Sequence, residues 1–192
     1  MKFRIARLMP ALLALGLSGA AFAAEGWHVF EDRQERFAIN FPAEPKVEEF
    51  TFESEYQAEL TGKRYTVESM GSRYSMTVIN YENAATLTDL RGSIAFAATA
   101  LRQKGKVTYD AYQEIDRIPG HQLQITTADG NRIFAGINLY ERRLYILEAE
   151  VPAGRPPPEL FRGSLQVLDA EGNSIRLDDT GKIAERRPVE TR

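Results

Sequence analysis

The feature that most narrows the fold is a run of alternating residues that doubles back on itself between Leu123 and Val151. Leu123, Ile125 and Thr127 alternate with Gln122, Gln124 and Thr126, giving one apolar and one wet face. Asp129-Gly130-Asn131 follows, and Asp-Gly supplies the positive φ that a tight hairpin turn needs. Residues 132–140 then direct Ile133, Ala135, Ile137 and Leu139 one way, Glu141-Arg142-Arg143 turns the chain, and residues 144–151 complete a three-strand meander. A chain built this way is committed to an antiparallel sheet with one face to bury.

The rest supplies further strands and one long helix. Residues 27–30 read as a short strand and 31–34 as a turn. Phe37, Ile39 and Phe41 alternate with Ala38 and Asn40 until Pro42 and Pro45 withhold two backbone donors and end the strand. A charged stretch with Phe50 and Phe52 alternating inside it leads to strands over residues 63–69 and 73–81, joined by Met70-Gly71-Ser72. Over residues 86–104, Leu87, Leu90, Ile94, Ala97, Ala98 and Leu101 share one sector of a helical wheel. Thr86 suits the cap, Asp89 the first turn, and Arg102 and Lys104 the last turn before Gly105. Phe96 lies on the opposite side of that wheel. Residues 107–115 are extended, Ile118-Pro119-Gly120 is read as a turn, and Pro156, Pro157 and Pro158 open a short helix through Ser164. Residues 165–168 look like a last strand. Beyond Asp169 the chain is polar: residues 174–177 and 182–184 either pair around Asp178-Asp179-Thr180-Gly181 or fray. The expected architecture is α+β, an antiparallel sheet covered by helices in one domain over residues 24–169, with 170–192 as a polar extension.

The N-terminus reads as a secretory signal over residues 1–23. Lys2, Arg4 and Arg7 precede an apolar run over residues 8–17, and Ala21-Phe22-Ala23 offers small residues at the two positions a signal peptidase reads. That run is about half the ~20 residues a membrane-spanning helix needs. Cleavage after Ala23 and a periplasmic or secreted mature chain, without an integral membrane anchor, are therefore expected. Losing 23 of 192 residues leaves 169, and losing three cations moves the formal charge from −3 to −6. A mildly acidic chain without a basic block argues against nucleic acid, and the absence of cysteine excludes thiol catalysis and thiolate metal sites.

Catalytic constellations are sparse. The only histidines, His28 and His121, are read as strand residues, and Gly163-Ser164 lacks the buried strand that presents a nucleophilic serine. No spacing of His, Asp and Glu suggests a metal site, and Asp178-Asp179-Thr180-Gly181 reads as a turn. Glu148 and Glu150 share one face of a strand, as a solvated sheet face would have it. No catalytic, cofactor-binding or metal residue is assigned. Two features stand out as a candidate interaction surface: Phe96 on the polar side of its helix, and Pro156, Pro157 and Pro158.

Several of these residues resemble a known family. Phe37, Ile39, Phe41, Pro42 and Pro45, then Gly105, Pro119 and Gly120, Arg143, Leu144 and Tyr145, and Phe161 with Ser164 are similar to the packing motifs of PsbP/Mog-type exported bacterial domains. The resemblance covers about residues 27–169. Leu165 stands where those domains usually have Phe, and the tail after Asp169 has no counterpart. It implies an α/β/α sandwich with a central antiparallel sheet between helices. Better-known members are non-catalytic: one is an extrinsic subunit of photosystem II, another binds a small GTPase. The expectation is an exported, non-catalytic accessory domain whose partner is another periplasmic or envelope protein. The alternatives are a small-ligand or lipid-binding module with a pocket between sheet and helix, and a hydrolase with an unfamiliar carboxylate pair.

Overall fold

The structure, a computed structural model, describes residues 26–84 and 89–190. The expected signal segment, Thr86 and Leu87 lie outside those residues. Twelve strands and two helices are formed among them. In the N-terminal half these are β1 (His28–Asp32), β2 (Phe37–Phe41), β3 (Lys46–Glu53), β4 (Glu59–Ser69), β5 (Ser72–Asn80) and α1 (Arg91–Arg102). Next come β6 (Lys106–Ile115), β7 (Ile118–Thr126), β8 (Arg132–Tyr140) and β9 (Arg143–Val151). The last are α2 (Glu159–Arg162), β10 (Gln166–Val167), β11 (Ser174–Leu177) and β12 (Ile183–Arg187).

Seven strands make one antiparallel sheet in the order β3-β4-β5-β9-β8-β7-β6. Two meanders, β3 to β5 and β6 to β9, are joined along the β5–β9 seam. The chain must therefore travel from the centre of the sheet at β5 to its far edge at β6. Helix α1 makes that crossing and lays Ala97, Ala98 and Leu101 on Leu123, Ile125, Ile133, Ala135 and Ile137.

Among the described residues, the other face carries no comparable helix. It is covered by a second sheet, β1-β2-β10, by the single turn of α2 and by the hairpin β11–β12. Strand makes up 54% and helix 10% of the described residues, which overturns the expected α/β/α sandwich with its sheet covered by helices. The reason lies in β2, where all five residues are buried. Phe37, Ile39 and Phe41 pack on Tyr65, Tyr74 and Met76 of the large sheet, and a flanking strand on each side completes the layer. The segment after Pro156-Pro157-Pro158 forms a helix only over residues 159–162. Ser164 Oγ accepts the Asn40 N–H at 2.9 Å and donates to the Phe161 carbonyl at 2.9 Å, fixing the chain as it leaves α2.

Three local readings are also corrected. The charged stretch after Pro45 is an edge strand, β3, paired with β4 from Lys46↔Thr66 to Glu53↔Glu59. Ile118-Pro119-Gly120 belongs to β7, and the turn before it is Asp116-Arg117, with φ of 50° and 66°. Two positive φ values make the tight hairpin turn that Asn-Gly usually signals. The meander consequently has four strands rather than three. Of the two alternatives for the residues after Asp169, the hairpin is the one formed: β11 pairs with β12 and contributes Ile175 and Leu177 to the core.

Candidate functional site

On the helix side of the large sheet, α1 covers β7, β8 and part of β9 but leaves a polar area over β4, β5 and the end of β9. Period-two alternation brings Glu68, Arg73 and Glu150 side by side on three neighbouring strands, since Arg73 is opposite both glutamates. One row further in, Ser75 stands opposite Thr66 and Glu148. A cavity of about 470 Å³ opens here, walled by Arg64, Arg73, Lys104, Glu148 and Glu150 with Ser75 in its floor. A second cavity of about 400 Å³ shares Arg73 and Glu150 and runs on to the β4–β5 turn and Asn131. Together they form a groove rather than an enclosed chamber.

The charges in this groove are unevenly matched. Lys104 Nζ donates to Glu148 Oε2, and Asn131 Nδ2 donates to Glu150 Oε1 at 3.0 Å. Arg64 lies 4.9 Å from the Phe50 ring centroid, a cation–π contact. Among the described residues neither Arg64 nor Arg73 forms an ion pair or a side-chain hydrogen bond. The two carboxylates stand on one strand and one wall, so they do not flank a bond from opposite sides as glycosidase carboxylates do.

A second polar cluster is buried where the β1–β2 turn meets the large sheet. Lys63 Nζ is 2.8 Å from Glu35 Oε1, and Arg143 reaches Glu82 at 2.8 Å and Glu35 at 3.8 Å. Burial alone would lower the Lys63 pKa, but the carboxylates of Glu35, Asp32 and Glu49 outweigh it and raise it. Tyr65 donates its hydroxyl to Asp32 at 2.6 Å, and burial with that carboxylate drives its phenol pKa far upward. These contacts bind the two sheets together; the cavity beside them is only about 180 Å³.

The histidines are held apart from hydroxyls. His28 Nδ1 is 3.3 Å from the Gly26 carbonyl and its Nε2 is 3.7 Å from Glu44. His121 Nε2 pairs with Asp110, and its ring meets Tyr112 edge-on at 5.3 Å. Asp110 is also held by Arg102 at 2.8 Å, and that guanidinium, with His121, draws its pKa down. Among the described residues no serine or threonine hydroxyl bonds to either ring. Asp178 accepts from Thr180 and Lys182 within the β11–β12 turn.

The two parts of the expected interaction surface are not brought together. Phe96 is 39% exposed and meets Phe52 of β3 edge-on at 6.1 Å, on the helix side of the sheet. Pro156 and Pro157 are exposed on the loop leading to α2, whose Phe161 packs on the opposite side of the sheet. The residues that sequence reasoning passed over are Arg64, Arg73 and Lys104. Residues 64, 66 and 68 and residues 73, 75 and 77 are polar on the face that carries Ile133, Ala135 and Ile137 on β8, but that alternation alone marks only a wet face. No protein-family model matches the chain, and no curated protein matches its sequence.

Proposed function

We propose that the protein is an exported, non-catalytic interaction domain that grips a polar, carboxylate-bearing segment of an envelope partner in the helix-side groove. The observation that carries this reading is the pair of guanidiniums, Arg64 and Arg73, facing an open groove and engaged in no ion pair among the described residues, although glutamates stand opposite both on the neighbouring strands. A partner carboxylate supplies what they lack, in charge-assisted and bidentate hydrogen bonds. The length of the groove, running from Lys104 past Arg73 to the β4–β5 turn, suits an extended segment better than a compact molecule. A small-ligand or lipid pocket between sheet and helix ranks second, because the walls beside α1 are charged and the space beneath it is filled by the core. The motif likeness to the PsbP/Mog class enters only for its non-catalytic character.

Crosslinking capture from a periplasmic extract tests this, with the mature chain compared against the Arg64→Gln/Arg73→Gln variant. Capture that weakens with salt and is lost in the variant supports the reading. An unchanged set of captured proteins overturns it. Export is tested separately: the full chain expressed with its own N-terminus should yield a mature protein beginning at Ala24, read by intact mass.

A further inference from the structure

The end of the molecule where the groove reaches the β4–β5 turn also has the make-up of a membrane contact. At one end of the large sheet the β4–β5 turn places Met70 at φ 47°, 61% exposed. Leu160, on α2, is 55% exposed although Phe161 beside it is fully buried. Pro156 and Pro157 are exposed between these two elements. Apolar side chains exposed on a turn and on a single-turn helix are well shaped to enter a soft interface.

A chain of contacts makes these tips one surface. Arg155 Nη2 donates to the Met70 carbonyl at 3.1 Å, and Arg132 Nη2 donates to the Arg155 carbonyl. Arg132 and Arg162 then both stack on the buried ring of Phe134, at 5.2 and 5.6 Å from its centroid. Three guanidiniums are thereby gathered between the hairpin tip and α2. Arg132 and Arg155 have no ion pair among the described residues, and Arg132 Nε is buried without a hydrogen-bond partner. Arg162 is paired only with exposed Glu159, at 3.1 Å. Glu68 and Glu150 also line the space beside Met70, with Arg73 between them, so the positive charge of this end is concentrated on the side of Arg155 and Arg162.

We propose that this end of the molecule docks on a membrane surface bearing anionic phospholipids, with Met70 and Leu160 entering the headgroup layer and Arg132, Arg155 and Arg162 binding phosphates. Interfacial binding combines buried apolar area with attraction to anionic lipid, and this surface has both. Guanidinium forks fit phosphate oxygens bidentately, while the two prolines present no N–H that insertion would have to desolvate.

The test is co-sedimentation of residues 24–192 with vesicles of phosphatidylethanolamine and phosphatidylglycerol, compared with vesicles of phosphatidylcholine alone. Three chains are used: wild type, Met70→Ser/Leu160→Ser, and Arg155→Gln/Arg162→Gln. Met70, Leu160 and Arg155 are exposed, but Arg162 stacks on Phe134, so the melting midpoint of each variant is measured first and binding is compared well below the lowest of them. Binding is expected to the anionic vesicles, to weaken with salt, and to fall about fivefold per removed guanidinium. The double serine variant should lose binding at every salt concentration. The proposal fails if wild type ignores anionic vesicles, binds both compositions equally, or is unaffected by either double variant. It also fails if inorganic phosphate displaces the protein while chloride of equal ionic strength does not, because the arginines would then read a soluble anion.

Discussion

Gly120 has no space for a methyl group. A Cβ there would sit 2.3 Å from the Ile137 carbonyl oxygen and 2.3 Å from Asn138 Nδ2, on the adjacent strand β8. Asn138 is fully buried, and its amide donates to the Ile118 carbonyl at 3.1 Å, so neither neighbour can move without breaking a bond. Gly120→Ala should therefore cost about 1–3 kcal/mol through overpacking. In a domain of this size that lowers the thermal midpoint by roughly 2–4 °C per kcal/mol; an unshifted melt would mean β7 and β8 do not approach this closely. Charge acts at the same scale at Asp89. Its Oδ1 accepts the Arg91 N–H at 3.0 Å and its Oδ2 pairs with Arg91 Nη2 at 2.6 Å. The Arg91 side chain first, and its backbone second, hold the Asp89 pKa down at about 2. A depressed folded pKa means the stabilising contribution is present above the unfolded value and lost as pH falls through about 2. A carboxyl-carbon NMR titration should find that low midpoint and see it rise in Arg91→Gln.

At the scale of elements, two attachments can be tested. Phe96 lies outside the apolar sector of α1, but it bridges the helix to β3 through Phe52. A double-mutant cycle on Phe52→Ala and Phe96→Ala should give a coupling of about 0.5–1.5 kcal/mol in denaturant melts. A coupling near zero would leave Phe96 as a surface residue with no role in holding the edge strand. The hairpin β11–β12 inserts Ile175 and Leu177 into the core, and its Arg187 is 2.6 Å from Asp116 in the β6–β7 turn. Leu177→Ala should cost about 2–5 kcal/mol, a loss that a frayed tail would not show. These elements also mark what the sequence made legible. Alternation exposed β2 and the β7–β9 meander because their large apolar residues recur in period two, even where, as with Ala38 and Asn40 of β2, the residues between them are buried too. It missed β3 because Lys46, Val47, Glu48 and Glu49 are all exposed, leaving only half-buried Phe50 and Phe52 to carry the pattern of an inner face. The β6–β7 turn escaped because Asp116 and Arg117 adopt positive φ without glycine. The groove was illegible for a related reason: Arg64 and Arg73 look like ordinary wet-face residues until the strand order shows that α1 leaves them uncovered.

At the scale of the whole molecule, the helix expected over the second face is replaced by a sheet, and tyrosines stitch the layers. Tyr145 donates to the Glu35 and Arg36 carbonyls at 3.1 and 3.2 Å, tying β9 to the β1–β2 turn. Tyr65 ties β4 to Asp32, and on the helix side Tyr81 donates to Glu55 at 3.3 Å. Burial is the leading cause that raises all three phenols, Tyr81 to about 12 and the other two beyond that. A raised folded pKa means the fold holds the neutral phenol. The resulting stability is complete below the unfolded value of about 10 and is lost as pH rises through the folded values. Between those limits the unfolded chain gives up protons that the folded chain keeps, so alkali unfolds the molecule instead of ionising it in place. Phenolate absorbance from these residues should then appear in one cooperative step, together with the loss of the β-sheet circular dichroism signal. Tyr81→Phe removes one of the three coupled protons and should broaden that step and move its midpoint to higher pH. If the phenols instead ionise one by one while the dichroism stays constant, the hydroxyls are reached by water in the folded state and the layers are not sealed as described.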